Sequence, residues 1–261
     1  MRKGILIVSY GTTNKVAREK SINLIENKIE KLYPNYTLRS AFTSEYIIKK
    51  IKKNENIKID TVISALKKMI EYDCKEIFVL PLFITPGNEY EKIEKATTLI
   101  KNKFKVKIIL GLPLLHEKCD YKKLISAALN KIPIRKKNQS ILFMGHGTSH
   151  NSNKYYSVLQ ENMSSVRKNV FIANIDGEPY LEDILKKIVT EYKSIIIVPF
   201  LLVAGNHVLK DMIGKENSFK SILEKNGLEV EVLLEGLGEN NLVQDIFIEL
   251  LEKMLNTEHY I

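Results

Sequence analysis

VLPLFITPGNE (79–89) and IVPFLLVAGNH (197–207) are one eleven-residue pattern written twice. They align without gaps, pairing Pro81 with Pro199, Gly87 with Gly205, Asn88 with Asn206 and Glu89 with His207. In each, a continuous apolar run gives way to a Gly-Asn turn. Such a run suits a strand covered on both faces, the habit of parallel sheets sandwiched between helices. A second pair supports the first: ILIVSYGTT (5–13) aligns on ILFMGHGTS (141–149), setting Tyr10 against His146 and Gly11 against Gly147. GLP at 111–113 and GLG at 236–238 close each half. The period is far too long for a solenoid, so the chain reads as a duplicated domain.

Working outward, apolar runs predict strands over 4–9, 37–43, 76–85 and 105–111, then over 140–145, 169–175, 194–203 and 229–236. Amphipathic stretches such as DTVISALKKMIEYD and EPYLEDILKKIVTEY lie between them. Strand–helix alternation argues for parallel sheets with helices on both sides. The expected fold is α/β, with two similar Rossmann-like halves whose parallel sheets face a central cleft. The lysine-rich NKIPIRKKNQ (130–139) is the natural linker, giving an N-terminal half of 1–132 and a C-terminal half of 133–261.

With 261 residues, 44% hydrophobic and 27% charged, the composition is that of an ordinary globular protein with ample core. No apolar run is long enough to span a bilayer, and GILIVS lacks the cleavage site of a secretory signal. The only two cysteines, Cys74 and Cys119, follow no metal or redox spacing, so a cytoplasmic setting is expected. The net charge of +9 is mostly scattered lysine. No arginine cluster, aromatic RNA-binding motif or helix-turn-helix pattern accompanies it, which argues against nucleic acid. It suits a polyanionic small ligand.

In open α/β sheets, ligands bind beyond the carboxyl ends of the strands. His146 and His207 both follow strands at that edge, as Tyr10 and Glu89 do in the other half. One histidine in apolar surroundings is commonly a packed core residue. Two at equivalent strand ends point instead to a site for a late first-row divalent metal. Asp176, in NIDGEP, ends the strand between them in chain order and offers a carboxylate, although Asp-Gly is also a common turn. Glu178 is placed where a helix is expected to begin, and there an acid suits the helix dipole. His150 falls four residues after His146, but Gly147 bends the chain between them; His116 and His259 look incidental. No phosphate-binding loop, dinucleotide fingerprint or nucleophile elbow is present.

The segments AFTSEYII (41–48), PGNEYEKI (86–93), GLPLL (111–115), FMGHGTSHNSNKYY (143–156) and VAGNHVLKDMIGKENSFKSILEKNG (203–227) carry a likeness that runs end to end. The chain resembles the class II tetrapyrrole chelatases, and within them the anaerobic cobalt chelatases of cobalamin synthesis. The resemblance implies a lyase that inserts Co2+ into sirohydrochlorin without ATP, the metal being substrate, with no organic cofactor. By matching position it implies His146 as general base and metal ligand, His207 as second histidine ligand and Asp176 as the carboxylate. The family carries glutamate at that last place, so the side chain here is one methylene shorter. Tyr10 and Glu89 are expected to contact the macrocycle. The expected partners are sirohydrochlorin and a divalent metal, with no nucleic acid and no membrane; a homo-oligomer is admissible. The alternatives are the same scaffold loading iron or nickel for sirohaem or related tetrapyrroles, or a non-catalytic metal or tetrapyrrole carrier.

Overall fold

The computed structural model describes residues 2–133 and 138–256. The chain divides into two compact units, one of residues up to 116 together with those from 244 onward, the other of 117–243. In the first, β1 (Arg2–Ser9), β2 (Thr37–Phe42), β3 (Asp60–Thr61), β4 (Cys74–Pro81) and β5 (Lys107–Leu110) form a parallel sheet ordered β3-β2-β1-β4-β5. Ile5 to Val8 and Ile77 to Leu80 are all buried, which is why β1 and β4 read as unbroken apolar runs. The crossovers are α1 (Lys15–Lys20) with α2 (Ile22–Leu32), α3 (Glu45–Glu55), α4 (Val62–Glu71) and α5 (Asn88–Phe104). Asn14, Ser44 and Thr61 start α1, α3 and α4 by accepting a backbone N–H three residues on.

The second unit repeats the winding. Here β6 (Gln139–Gly147), β7 (Val170–Asp176), β8 (Ser194–Pro199) and β9 (Glu229–Val232) form a parallel sheet ordered β7-β6-β8-β9. It takes α6 (Tyr121–Leu129), α7 (Lys154–Val166), α8 (Leu181–Glu191) and α9 (Phe219–Lys225) as its helices. Substituting β7, β6, β8 and β9 for β2, β1, β4 and β5 gives the same order, so the duplication read from sequence is a duplication of topology. It extends to individual bonds beyond the sheets. Leu82 N–H donates to Val8 and Phe200 N–H to Met144, both at 2.7 Å; Leu115 donates to Ile84 at 2.7 Å and Gly238 to Leu202 at 2.9 Å. Gly11 and Gly147 share a left-handed φ, +89° and +72°.

The compact units divide the chain at 116/117 and 243/244 rather than at 132/133. α6 packs on α7, and Asn240 Nδ2 donates to its Ala127 carbonyl at 2.8 Å, which ties it to the second unit. The last helix, α10 (Asn241–Asn256), serves the first unit from Gln244 on. There Lys28 pairs with Asp245, and Met254 covers Gly111. The expected linker over 130–139 lies in part outside the described residues. Strands β4 and β8 stop at Pro81 and Pro199, short of the expected 85 and 203, because the apolar residues beyond them fold over the sheet ends. The closing segments match three residues out of step: Gly111 and Leu233, not Gly111 and Gly236, donate to the equivalent carbonyls of Val79 and Ile197. No helix among the described residues is long and apolar enough to cross a membrane.

Candidate metal site in the second unit

His146 is the penultimate residue of β6, and Gly147 closes the strand in register with Asp176 of β7. A Cβ at position 147 would stand 1.6 Å from the Asp176 carbonyl oxygen, and φ is left-handed, so only glycine lets the two strand ends meet. Beneath them Tyr156 is buried and hydrogen-bonded to the Gly147 backbone; burial pushes its phenol well above the usual range, so it stays neutral. Asn153 accepts from Thr148 N–H at 3.1 Å and donates to the Glu178 carbonyl at 2.7 Å, to which Asn174 also donates at 2.9 Å. Asn153 therefore holds the turn after Asp176 to the turn after His146, and Asn174 braces the former against its own strand.

His207 arrives by another route. After Pro199 the chain buries Phe200 and Leu201 and turns at Gly205, whose carbonyl accepts from the N–H groups of Val208 and Leu209. His207 stands in that first turn, and the chain continues as a π-helical turn over Val208–Met212. Val208 and Met212 are buried, pinning the turn to the core.

The result brings His146 and His207 together, their ring centroids 4.7 Å apart and their planes at 78°. Both residues are exposed, the His207 side chain by 53%. Each ring has an acceptor at Nδ1: the Gly147 carbonyl at 3.1 Å from His146, and an Asp211 carboxylate oxygen at 2.8 Å from His207. A carbonyl or carboxylate oxygen only accepts, so both hydrogen bonds assign a proton to Nδ1, and in the neutral ring this leaves the lone pair on Nε2. This is the usual state of a metal-binding histidine, which gives its second ring N–H to a carboxylate or backbone carbonyl.

Asp176 ends β7 as expected and is exposed. It is not gathered with the imidazoles into a ready triad: among the described residues no group of three or more His, Cys, Asp or Glu is placed to hold a metal ion. Glu178 does not begin a helix. α8 starts at Leu181, with Glu182 and Asp183 as its first-turn acids, and Glu178 contributes its carbonyl to the amide clamp. His150 is occupied locally, Nδ1 accepting the Ser152 N–H at 3.1 Å. His116 faces the Pro113 carbonyl at 3.0 Å, and His259 lies outside the described residues.

In the first unit Tyr10 follows the last residue of β1 and is 49% exposed. Glu89 is the second residue of α5, where the helix N-terminus favours an acid. One of its oxygens accepts from Lys92, and the other is buried with no hydrogen-bond partner among the described residues. Asp211 was not among the residues the sequence singled out. Its signal was the four-residue spacing from His207, which on a helical turn brings two side chains together.

The chain matches the family model described as Cobalt chelatase (CbiK) over residues 3–256. It is 31% identical over 258 residues to the sirohydrochlorin cobaltochelatase of Salmonella typhimurium, covering 98% of this chain and 97% of that one. It is 30% identical over 252 residues to the sirohydrochlorin cobaltochelatase CbiKC of Nitratidesulfovibrio vulgaris, covering 95% and 89%. Among solved structures, SirB from Bacillus subtilis with Fe3+ superposes with a TM-score of 0.72 at 15% identity, over 99% of this chain and 98% of that one. That last likeness is one of fold.

Proposed function

This chain belongs to the cobalt chelatase (CbiK) family, and we propose that it inserts Co2+ into sirohydrochlorin without ATP, using His146 and His207 to hold the metal and His146 as general base. The observation that carries the reading is the pair of imidazoles 4.7 Å apart, each with Nδ1 engaged and Nε2 free. Two nitrogen donors of this kind suit Co2+, and leave positions open for the ring nitrogens to enter.

Metallation replaces two pyrrolic protons with one divalent cation, so charge balances when two protons leave. A base must face the ring as they go, and imidazole, which takes up and releases protons near neutral pH, fits that task. One lone pair cannot hold metal and proton together. His146 therefore acts in succession: as its bond to Co2+ is exchanged for a ring nitrogen, the freed Nε2 accepts a displaced proton. Being exposed, it passes that proton on to water and then takes up and releases the second in the same way. Asp176 supplies a carboxylate from the adjoining strand end, reaching the cation directly or through a water. Tyr10 and Glu89 contact the macrocycle, and the excess of lysine favours encounter with its carboxylates. We place the reaction in the cytoplasm, which fits a chain with only two cysteines, of which Cys74 is buried.

Anaerobic metallation assays with Co2+, Fe2+ and Ni2+, each against sirohydrochlorin and protoporphyrin, test the reading. We expect many turnovers per protein with Co2+ and sirohydrochlorin. Saturation at one equivalent would make the chain a carrier, and faster turnover with another metal would reassign its substrate.

A further inference from the structure

The duplication supplies an internal control for the carboxylate beside His207. Carrying the alignment four residues past Glu89 and His207 sets Lys92 against Lys210 and Ile93 against Asp211. In the first unit this segment is a regular α-helix, and Ile93 is fully buried in the core beneath the strand end. A residue at position 211 would meet the same fate if the second unit continued as an α-helix. It does not. The backbone widens to a π-helical turn, with Ile213 N–H donating five residues back to Val208 at 3.1 Å. The extra residue in the turn hands the core position to Met212, which is fully buried, and leaves Asp211 facing the histidine. Single wide turns of this kind are rare and concentrate at functional sites.

Among the described residues no lysine or arginine pairs with the carboxylate. Positive side chains outnumber acids in this chain, 40 to 31, and most partly buried carboxylates here have a lysine or arginine. Asp211, with its side chain 21% exposed, has the His207 imidazole as its partner among the described residues. The site's other half lacks the device, since His146 relies on a backbone carbonyl.

We propose that Asp211 is a positioning residue for metal capture: it holds His207 as the Nδ1–H tautomer and aims its Nε2 lone pair at the incoming cation. The inference rests on His207 being a metal ligand. Without the carboxylate the ring is free to rotate and to move its proton to Nε2, which blocks coordination. Loss of such an outer partner typically lowers metal affinity by about 10–100-fold.

The test uses the full chain without metal, as Asp211→Ala and the shape-conserving Asp211→Asn, with circular dichroism to show that both fold. Imidazole 15N shifts at about pH 8 report each ring's tautomer, and anaerobic titration with Co2+ reports affinity. In Asp211→Ala we expect His207 to leave the Nδ1–H form while His146 stays in it, with Co2+ binding weakened by about 10–100-fold. Asp211→Asn, whose amide oxygen can still accept, should keep the tautomer and lose less affinity. An Asp211→Ala protein with the parent tautomer and parent affinity would overturn the inference while His207→Ala still lost Co2+. If His207→Ala itself bound Co2+ like the parent, the ligand reading would fall and the inference with it.

Discussion

At the end of β1 the chain places Tyr10; at the matching end of β6 it places His146. Where α5 begins it places Glu89; in the matching first turn after β8 it places His207. The backbones agree down to the bonds that fold the residues after Pro81 and Pro199 back over their sheets. The side chains do not agree. The first unit presents a phenol and a carboxylate partly neutralised by Lys92; the second presents two imidazoles oriented by acceptors. The lesson is that strand-end geometry is common to both copies of the scaffold, whereas the metal chemistry we propose rests on residues of one copy: His146 and His207, with Asp211 on a widened turn.

The comparison is broken most severely at His146. His146→Ala removes the proposed base and ligand together and should lower metallation by about 10²–10⁴-fold. Its circular dichroism should match the parent, because the side chain is exposed. The same change at the matching position, Tyr10→Ala, should leave Co2+ affinity untouched.

The next largest effect separates the two glycines. Gly11 and Gly147 share their left-handed backbone, which costs an alanine roughly 1–2 kcal/mol. A Cβ at Gly11 would press on the Phe42 ring at 2.3 Å, and a ring can shift; at Gly147 it meets backbone oxygen at 1.6 Å. Gly147→Ala should therefore be the more destabilising by about 1–3 kcal/mol, read as a difference in urea midpoints at equal slope. Equal midpoints would contradict the close approach of β6 and β7.

Glu89→Gln sharpens the contrast more gently. It should raise KM for sirohydrochlorin and leave Co2+ binding unchanged, since this carboxylate faces a lysine in the unit that lacks the imidazole pair. Among changes in the second unit, Asp176→Asn should have the smallest effect on Co2+, a modest loss of affinity visible in titration, because Asp176 stands beside the pair rather than within it. Full affinity in Asp176→Asn would reduce the residue to a turn former, a task asparagine performs equally well.

Much of this was legible in the sequence for physical reasons. Parallel strands buried on both faces leave continuous apolar runs, so β1, β4, β6 and β8 were visible, and the repeat revealed which ends correspond. The runs overshot the strands because Leu82, Phe200 and Leu201 are buried beyond the sheet, and burial alone does not distinguish a strand from a loop folded over its end. The two-residue β3 is too short to leave a pattern. The return of α10 to the first unit depends on contacts with Lys28 and Gly111, far away in sequence. His146 and His207 stood out in the sequence because both follow apolar strands at equivalent ends. Asp211 escaped because its role depends on a π-helical turn, which has no residue signature, and a lone aspartate after a lysine reads as solvated surface.

The central claim is that the imidazole pair of the second unit takes the metal. Anaerobic titration of the metal-free chain with Co2+, followed by the visible absorption of the bound ion, tests it directly. The parent should bind one equivalent, and His146→Ala and His207→Ala should each lose about 10–100-fold or more in affinity. The double variant should show no specific binding, while Tyr10→Phe and Glu89→Gln titrate like the parent. A double variant that binds Co2+ as tightly as the parent would contradict the account.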